Sequence, residues 1–163
     1  MHHSHGLILG VDPGLAATGW AVVREPAEIV GCGTIRTPAA ATAGRRLAQI
    51  RQELAAQLAG VSEAALEELF IGSNRSSAIG VAQARGVVLE LLEQHSIPAA
   101  EYKPSQVKQV VTGYGMADKG QMARMLSRQV RGFPAALSDH AADAIAIALC
   151  HARSRRLLGF GVK

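Results

Sequence analysis

The first part of the chain alternates between short apolar runs and turn residues. Residues 7–11 are apolar, an Asp-Pro-Gly sequence follows at 12–14, and residues 18–23 form a second, largely apolar run. An apolar run that ends in Pro-Gly is typical of a strand that enters a turn. Residues 28–36 have the pattern of a third strand. These runs predict an antiparallel meander of three strands.

The next two segments are one clear helix and one ambiguous stretch. Within residues 44–60, apolar side chains recur at the spacing of a single helical stripe. Residues 62–71 carry helix-forming side chains, yet their brevity and their position after a helix also suit the return strand of a βαβ unit. If the segment is a strand, Glu67 and Glu68 point to opposite faces, so only one of them can join a shared site.

The second half of the chain is mainly helical. A helix from about residue 76 to residue 94 is apolar on nearly all sides, which indicates burial on more than one face. A short strand at 97–102 follows, and then a helix with Pro104 near its first turn. The glycine-rich segment 113–120 is expected to be a flexible loop, and its spacing does not match a nucleotide-binding P-loop. An amphipathic helix comes next.

The last predicted helix contains an acid that a helix does not favour. Ser138 or Asp139 is expected to cap it, and residues 144–150 are apolar all round, which predicts burial. His140 and Asp143 stand three positions apart on one face. A cap explains Asp139, but Asp143 lies inside the helix, where aspartate is unfavourable and costly to bury without a partner. Asp143 therefore indicates a polar site.

Composition narrows the class of protein without deciding its function. The 163 residues are expected to form one domain, 6–156, with a tag-like or disordered tail at 1–5 and a short C-terminal tail at 157–163. The formal net charge of +4 permits a nucleic-acid partner, whereas an aromatic content of 4% argues against a broad stacking platform. Two isolated cysteines suggest a reduced, cytosolic protein. No apolar run reaches the roughly 18 residues of a membrane span.

Several potential metal ligands lie near the ends of predicted core elements. They are Asp12, one of Glu67 and Glu68, His140 and Asp143. Clustered carboxylates raise one another's pKa unless a cation neutralises them, and Mg²⁺ or Mn²⁺ suits such oxygen ligands. Two such ions about 4 Å apart activate water on one side of a phosphodiester and stabilise the leaving oxygen on the other. The residues therefore predict metal-assisted phosphodiester hydrolysis.

A colinear set of motifs resembles the RuvC family of bacterial Holliday-junction resolvases. The set covers about residues 6–152 and consists of Asp-Pro-Gly at 12–14 with Thr-Gly-Trp at 18–20, Leu66-Glu67 with Phe70, Ala-Gln-Ala-Arg-Gly at 82–86, Gln-Val-Lys-Gln at 106–109, and Ala-Ala-Asp-Ala-Ile-Ala-Ile-Ala at 141–148. The resemblance implies an α/β protein of RNase H-like fold, with a central mixed five-stranded sheet flanked by helices.

The same resemblance implies an activity and partners. The expected activity is that of a crossover junction endodeoxyribonuclease, a homodimer that nicks two opposing strands of a four-way DNA junction symmetrically in homologous recombination and DNA repair. It implies Mg²⁺ or Mn²⁺ as cofactor, two ions per active site, and cooperation with the branch-migration proteins RuvA and RuvB in the bacterial cytoplasm, away from any membrane. The all-apolar helix at about 76–94 then becomes the expected dimer interface.

Site residues follow from the resemblance position by position. Asp12, Glu67 and Asp143 match family acids, and Glu67 is preferred to Glu68 because it precedes Phe70 by three residues. His140 takes a position at which many members have aspartate, and an imidazole there favours the softer Mn²⁺. The resemblance assigns no role to Asp139.

Other matching residues point to the DNA. Lys108 and Lys119 match lysines associated with phosphate contact, and Lys119 is expected to stabilise charge at the scissile phosphate from a mobile loop. Phe70 is expected to stack on unpaired junction bases, and Asn74 and Arg75 to contact the backbone.

Two other classes compete with the resolvase. One is a related RNase H-fold nuclease that acts on RNA or another branched DNA, and the other is a catalytically inert junction-binding module. An actin-like ATPase or sugar kinase is excluded because that fold needs a second domain and phosphate loops, for which 163 residues leave no room.

Overall fold

A mixed five-stranded sheet forms the centre of the protein. The computed structural model describes residues 6–69 and 75–155. The strands are β1 (Leu7–Asp12), β2 (Ala17–Arg24), β3 (Glu28–Arg36), β4 (Val61–Glu67) and β5 (Ala99–Tyr102), in the spatial order β3-β2-β1-β4-β5. The first three strands pair antiparallel, and β4 pairs parallel with both β1 and β5. The predicted meander and the predicted mixed sheet are both confirmed.

Helices cover both faces of this sheet. They are α1 (Ala43–Ala55), α2 (Arg75–Gln94), α3 (Pro104–Thr112), α4 (Lys119–Gln129) and α5 (Asp139–Ser154). Residues of α1 and α2 share one hydrophobic cluster with the sheet, and residues of α3, α4 and α5 share another. The site described below lies on the face covered by α3–α5. No helix within residues 6–69 and 75–155 combines the length and apolarity that crossing a membrane requires.

The ambiguous segment at 62–71 contains a strand. Ala64, Ala65 and Leu66 are completely buried in β4, between two parallel neighbours. A strand covered on both faces needs a continuous apolar run of this kind, and that requirement overrides helix propensity. In contrast, α1 ends at Ala55, before the glycine at position 60 that was expected to end it.

Helix α5 lies directly on the backbone of β1 and β2. A Cβ atom at Gly10 would come within 2.1 Å of the Ala144 carbonyl oxygen, and one at Gly19 within 1.9 Å of the His140 carbonyl oxygen. Any side chain at these two positions would therefore push the helix away from the sheet. Ser138 caps the helix, since its hydroxyl accepts a hydrogen bond of 3.2 Å from the Ala141 amide. Close packing and cap together fix where the first turn of α5 lies.

A buried polar chain extends along the far end of α5. It consists of Tyr102, His151, Glu63, Arg155 and Glu25. The Tyr102 hydroxyl lies 2.7 Å from Nδ1 of His151, and Nε2 of the same ring lies 2.8 Å from Glu63. Arg155 then joins Glu63 to Glu25 through two contacts of 2.5 Å. His151 is completely buried, so in its neutral form Nε2–H donates to Glu63 while Nδ1 accepts from Tyr102.

Candidate active site

Two acids lie side by side at one edge of the sheet. Asp12 is the last residue of β1 and Glu67 the last residue of β4. These strands run parallel, and their register pairs Val11 with Leu66 one position earlier. Because the carboxyl ends of parallel strands meet at the same edge, both side chains reach the same region.

The first turns of α5 bring two further side chains to this edge. Nδ1 of His140 lies 2.9 Å from a carboxylate oxygen of Asp12. Asp143 follows one turn later on the same helix; its charge acts on Glu67, and the charge of Asp12 acts on it. The structure thus gathers four residues from three distant segments into one place, called here the acidic cleft: Asp12, Glu67, His140 and Asp143.

The carboxyl groups of the acidic cleft are poorly neutralised. Desolvation, together with the charges of Asp12 and Asp143, raises the pKa of Glu67 from 4.5 to about 7. Desolvation and the charge of Asp12 likewise raise the pKa of Asp143 from 3.8 to about 6. Desolvation also raises the pKa of Asp12, although its hydrogen bond to His140 opposes that change. An open site that holds carboxylates against their mutual repulsion suits a cation.

Two lysines, Lys108 and Lys119, line a cavity of about 580 Å³ that Glu67 and Asp143 of the acidic cleft also line. Lys108 projects from α3, and its charge lowers the pKa of Glu67. Lys119 is the first residue of α4, so the prediction that it belongs to a mobile loop is wrong. Asp118 caps that helix and ends the glycine-rich segment one residue earlier. The Lys119 ammonium lies 2.7 Å from Asp139, and both side chains are mostly exposed.

The donors of the acidic cleft fit a hard divalent cation by their chemistry. Carboxylate oxygens suit Mg²⁺ and Mn²⁺, and one imidazole tolerates Mn²⁺ in particular. The Asp12 contact occupies Nδ1 of His140, which leaves Nε2 as the nitrogen available to a metal. Within residues 6–69 and 75–155, no three His, Cys, Asp or Glu side chains stand close enough together to hold an ion as placed. Binding would therefore have to draw the carboxylates inward.

Some predicted DNA contacts cannot be compared with the structure, and one structural contact was not predicted. Phe70, Asn74 and the side chain of Arg75 lie outside the described part of the chain.

The unpredicted contact is made by Arg85 of α2, which is 9% exposed and donates to the Glu67 carbonyl oxygen at 2.8 Å. A cationic residue in the apolar middle of α2, between Ala84 and Val87, was the available signal.

Comparison with known proteins gives the family. The family model described as "Crossover junction endodeoxyribonuclease RuvC" matches residues 8–151. The chain is 45% identical to proteins of that name from Chloroflexus aggregans, covering 94% of this chain and 98% of the relative, and from Roseiflexus sp., covering 88% of each. The chain belongs to the RuvC family.

A solved structure agrees with this assignment across the whole fold. The chain is similar to T. thermophilus RuvC in complex with a Holliday junction substrate, with a TM-score of 0.87 and 30% sequence identity. The alignment covers 94% of this chain and 96% of the other. The predicted RNase H-like fold class is confirmed.

Proposed function

We propose that this protein is a structure-selective endonuclease that resolves four-way DNA junctions by paired, symmetric nicks. The observation that carries the proposal is the acidic cleft, in which Asp12, Glu67 and Asp143 converge on one sheet edge within a RuvC-family fold. The similarity to a RuvC structure in complex with a Holliday junction substrate supports the choice of substrate. The proposed catalytic domain spans residues 6–156.

The acidic cleft would hold Mg²⁺ or Mn²⁺, two ions per site in the proposal. Asp12, Glu67, His140 and Asp143 are the proposed ligands. Such a metal centre supplies an activated water and stabilises the leaving oxygen of the phosphodiester. The residues' own part is to present oxygen donors from rigid elements: two strand ends and the first turns of a helix whose position Gly10 and Gly19 fix. Rigid presentation preserves the geometry on which the rate depends.

The two lysines are proposed to receive phosphate groups. Lys108 stands beside Glu67, so it can hold a phosphate next to the carboxylates. Lys119 is bound to Asp139 in the free protein. That ion pair is exposed on both sides and therefore weak, so a phosphate of the bound strand can replace Asp139 as the partner of Lys119. Asp139 then acts as a temporary partner of Lys119.

The protein is further proposed to act as a homodimer. Helix α2 buries Val88, Leu91 and Leu92 inward, yet Ile79 remains 61% exposed on its surface. An exposed apolar side chain on a helix that is already half buried suits contact with a second copy, and a two-fold dimer places two identical sites against symmetric strands. Phe70, Asn74 and Arg75 are proposed to contact the junction. Cooperation with RuvA and RuvB and a cytoplasmic location remain predictions from the family.

The decisive experiment compares substrates and metals. A labelled mobile four-way junction, linear duplex, RNA–DNA hybrid and single strand are each incubated with Mg²⁺, Mn²⁺ or EDTA. We expect paired nicks at symmetric positions on the junction alone, lost in EDTA. Cleavage of the other substrates would replace the proposal with a relaxed RNase H-fold nuclease. Tight junction binding without cleavage under either metal would replace it with an inert binding module.

A further inference from the structure

The backbone at Glu67 is held on both sides of a single peptide group. The amide of Glu68 donates to the Tyr102 carbonyl oxygen on β5 at 2.8 Å. The carbonyl oxygen of Glu67, which belongs to the same peptide group, accepts from the Arg85 guanidinium at 2.8 Å. That carbonyl lies beyond the last residue pair of β1 and β4, so α2 supplies a partner that the neighbouring strand does not.

The Arg85 guanidinium is buried and held in place beside the Glu67 peptide by a second contact. The Arg85 side chain is 11% exposed, and Glu101 of β5 forms an ion pair with its second terminal nitrogen. Glu101 is aligned with Leu66 in the sheet register, one position before Glu67. One planar, forked cation therefore joins α2, the end of β4 and the edge strand β5, a geometry that arginine provides and lysine does not.

This anchor matters because electrostatic repulsion acts against the position of Glu67. The charges of Asp12 and Asp143 both disfavour an ionised Glu67 carboxylate in the acidic cleft. A strand end with a loosely held peptide group would turn and carry that carboxylate away from its neighbours. Fixing both polar groups of the peptide removes this freedom, since the direction of the side chain follows the backbone.

We propose that Arg85 is a positioning residue for the reaction: by holding the Glu67 peptide, it keeps the Glu67 carboxylate among the metal-binding acids. This inference deepens the proposed function and rests on it. Arg85 acts through Glu67, since its side chain is 11% exposed and its two terminal nitrogens contact the Glu67 carbonyl oxygen and Glu101. Because Arg85 lies on α2, the proposed dimer helix and the acidic cleft are also joined by one side chain.

The test uses the full-length protein with Arg85→Met and Arg85→Lys. The matched control is Arg24→Met, which removes an exposed arginine of β2 that pairs with Glu28 of β3, away from α2 and from the acidic cleft. Circular dichroism first establishes that each variant is folded. The readouts are the single-turnover rate of junction cleavage, junction affinity, and Mn²⁺ binding by calorimetry in the absence of DNA.

Arg85→Met is expected to weaken Mn²⁺ binding and slow cleavage by about tenfold or more, as loss of the groups that orient metal ligands commonly does. Junction affinity should stay unchanged, because the Arg85 side chain is buried and its terminal nitrogens already contact the Glu67 carbonyl oxygen and Glu101. Arg85→Lys should give an intermediate result, since one ammonium can serve the carbonyl or Glu101 but reproduces no fork. Arg24→Met should behave like the wild type.

A second background tests whether Arg85 works through Glu67. Glu67→Gln alone should weaken Mn²⁺ binding, and Arg85→Met should weaken it no further in that background, because coupled residues are not additive. Equal losses in both backgrounds, or wild-type Mn²⁺ binding and rate in folded Arg85→Met, would overturn the inference. If Arg85→Met does not fold, Arg85→Lys and Glu101→Gln carry the same comparison. If the wild type cleaves no junction, the proposed function fails, while Mn²⁺ binding still decides the role of Arg85.

Discussion

The acidic cleft and the buried polar chain lie at opposite ends of α5, and they treat similar side chains in opposite ways. Both combine carboxylates with one histidine. In the buried polar chain, His151 lies between Tyr102 and Glu63, and Arg155 neutralises the far oxygen of Glu63. In the acidic cleft, one histidine contacts one of three acids, and the pKa values of Glu67 and Asp143 rise to about 7 and about 6.

The contrast distinguishes a polar network that stabilises the fold from a polar site that can bind a ligand. Buried groups that hydrogen-bond one another stabilise one conformation and leave few polar atoms free to bind a ligand. Open carboxylates that repel one another lower the stability of the free protein and are stabilised when a cation arrives. Substitutions should therefore affect activity at one end of α5 and stability at the other, and the following predictions examine this division.

The largest effect on activity is expected for Asp143→Asn. Removing this carboxylate should slow junction cleavage by more than about 100-fold, beyond the range typical for groups that only support a metal ligand. Junction affinity should be retained, and the melting temperature should rise, because a neutral amide does not repel Asp12. Cleavage kinetics, gel-shift titration and thermal unfolding measure the three quantities. Full activity would remove Asp143 from the proposed site.

The largest effect on stability is expected for Glu63→Ala in the buried polar chain. The change leaves His151 and Arg155 without their shared partner, and breaking a buried pair of this kind costs about 3–5 kcal/mol. Urea denaturation should show this loss, while the cleavage rate per folded molecule stays at the wild-type value. The control is Glu28→Ala, which removes the exposed Arg24–Glu28 pair and should cost less than about 1 kcal/mol. Equal losses in the two variants would contradict the assignment.

Gly19→Ala should affect both ends, because it acts on the position of α5 itself. The new methyl group would meet the His140 carbonyl at 1.9 Å. Overpacking of this kind costs about 1–3 kcal/mol, and the displaced helix should also slow cleavage by moving His140 and Asp143 away from Asp12. Gly44→Ala is the control: it meets nothing within 4 Å in α1 and should stabilise by about 0.5–1 kcal/mol. A stable, fully active Gly19→Ala protein would argue against the close approach of α5.

The smallest effect is expected in how the free energy of unfolding depends on pH, which should have opposite signs for the acidic cleft and for the buried polar chain. The pKa of Glu67 rises from 4.5 to about 7 in the folded protein, so its share of the free energy of unfolding is largest below pH 4.5 and falls as the pH rises towards 7. Burial lowers the pKa of His151 below 6.5, so its share is lost as the pH falls below 6.5. The free energies of unfolding of the wild type and of Glu67→Gln, measured by denaturation, should agree near pH 4. They should diverge above pH 7, where Glu67→Gln is the more stable. A constant difference would contradict this.

Adding metal ions should make the pH dependence of stability at the acidic cleft easier to detect. Mg²⁺ or Mn²⁺ should raise the melting temperature of the wild type at pH 8 and have little effect at pH 4.5, where Glu67 is protonated in the folded protein. The Glu63→Ala variant should respond to metal like the wild type, because its altered site lies elsewhere along α5. A pH-independent metal effect would indicate binding outside the acidic cleft.

The sequence predicted those parts of the fold that depend on local pattern. The meander, with β3 at Glu28–Arg36, and the buried α5 follow from apolar periodicity and turn residues. The strand at β4 did not follow from propensity, because its burial between β1 and β5 is a tertiary property. Asp143 was recognised as unusual since an acid inside an apolar helix violates a local rule.

Other features of the site depend on contacts between distant segments. Glu63 and His151 are 88 residues apart, and nothing in either local sequence indicates that they meet. The same holds for Arg85 and the Glu67 carbonyl, because a backbone acceptor leaves no signature in the sequence. Lys119 was expected in a loop because the glycines before it are typical of loops, although Asp118 caps a helix that begins at Lys119.

The contact between Asp12 and His140 has a consequence for the protein while it is being synthesised. The two residues are separated by 128 positions and come from the first strand and the last helix. Contacts of such high sequence separation form only after the intervening chain is available. A chain still emerging from the ribosome already carries Asp12 and Glu67, but it cannot assemble the cleft until α5 is released. Unfinished or truncated copies of this nuclease should therefore leave the cell's DNA intact.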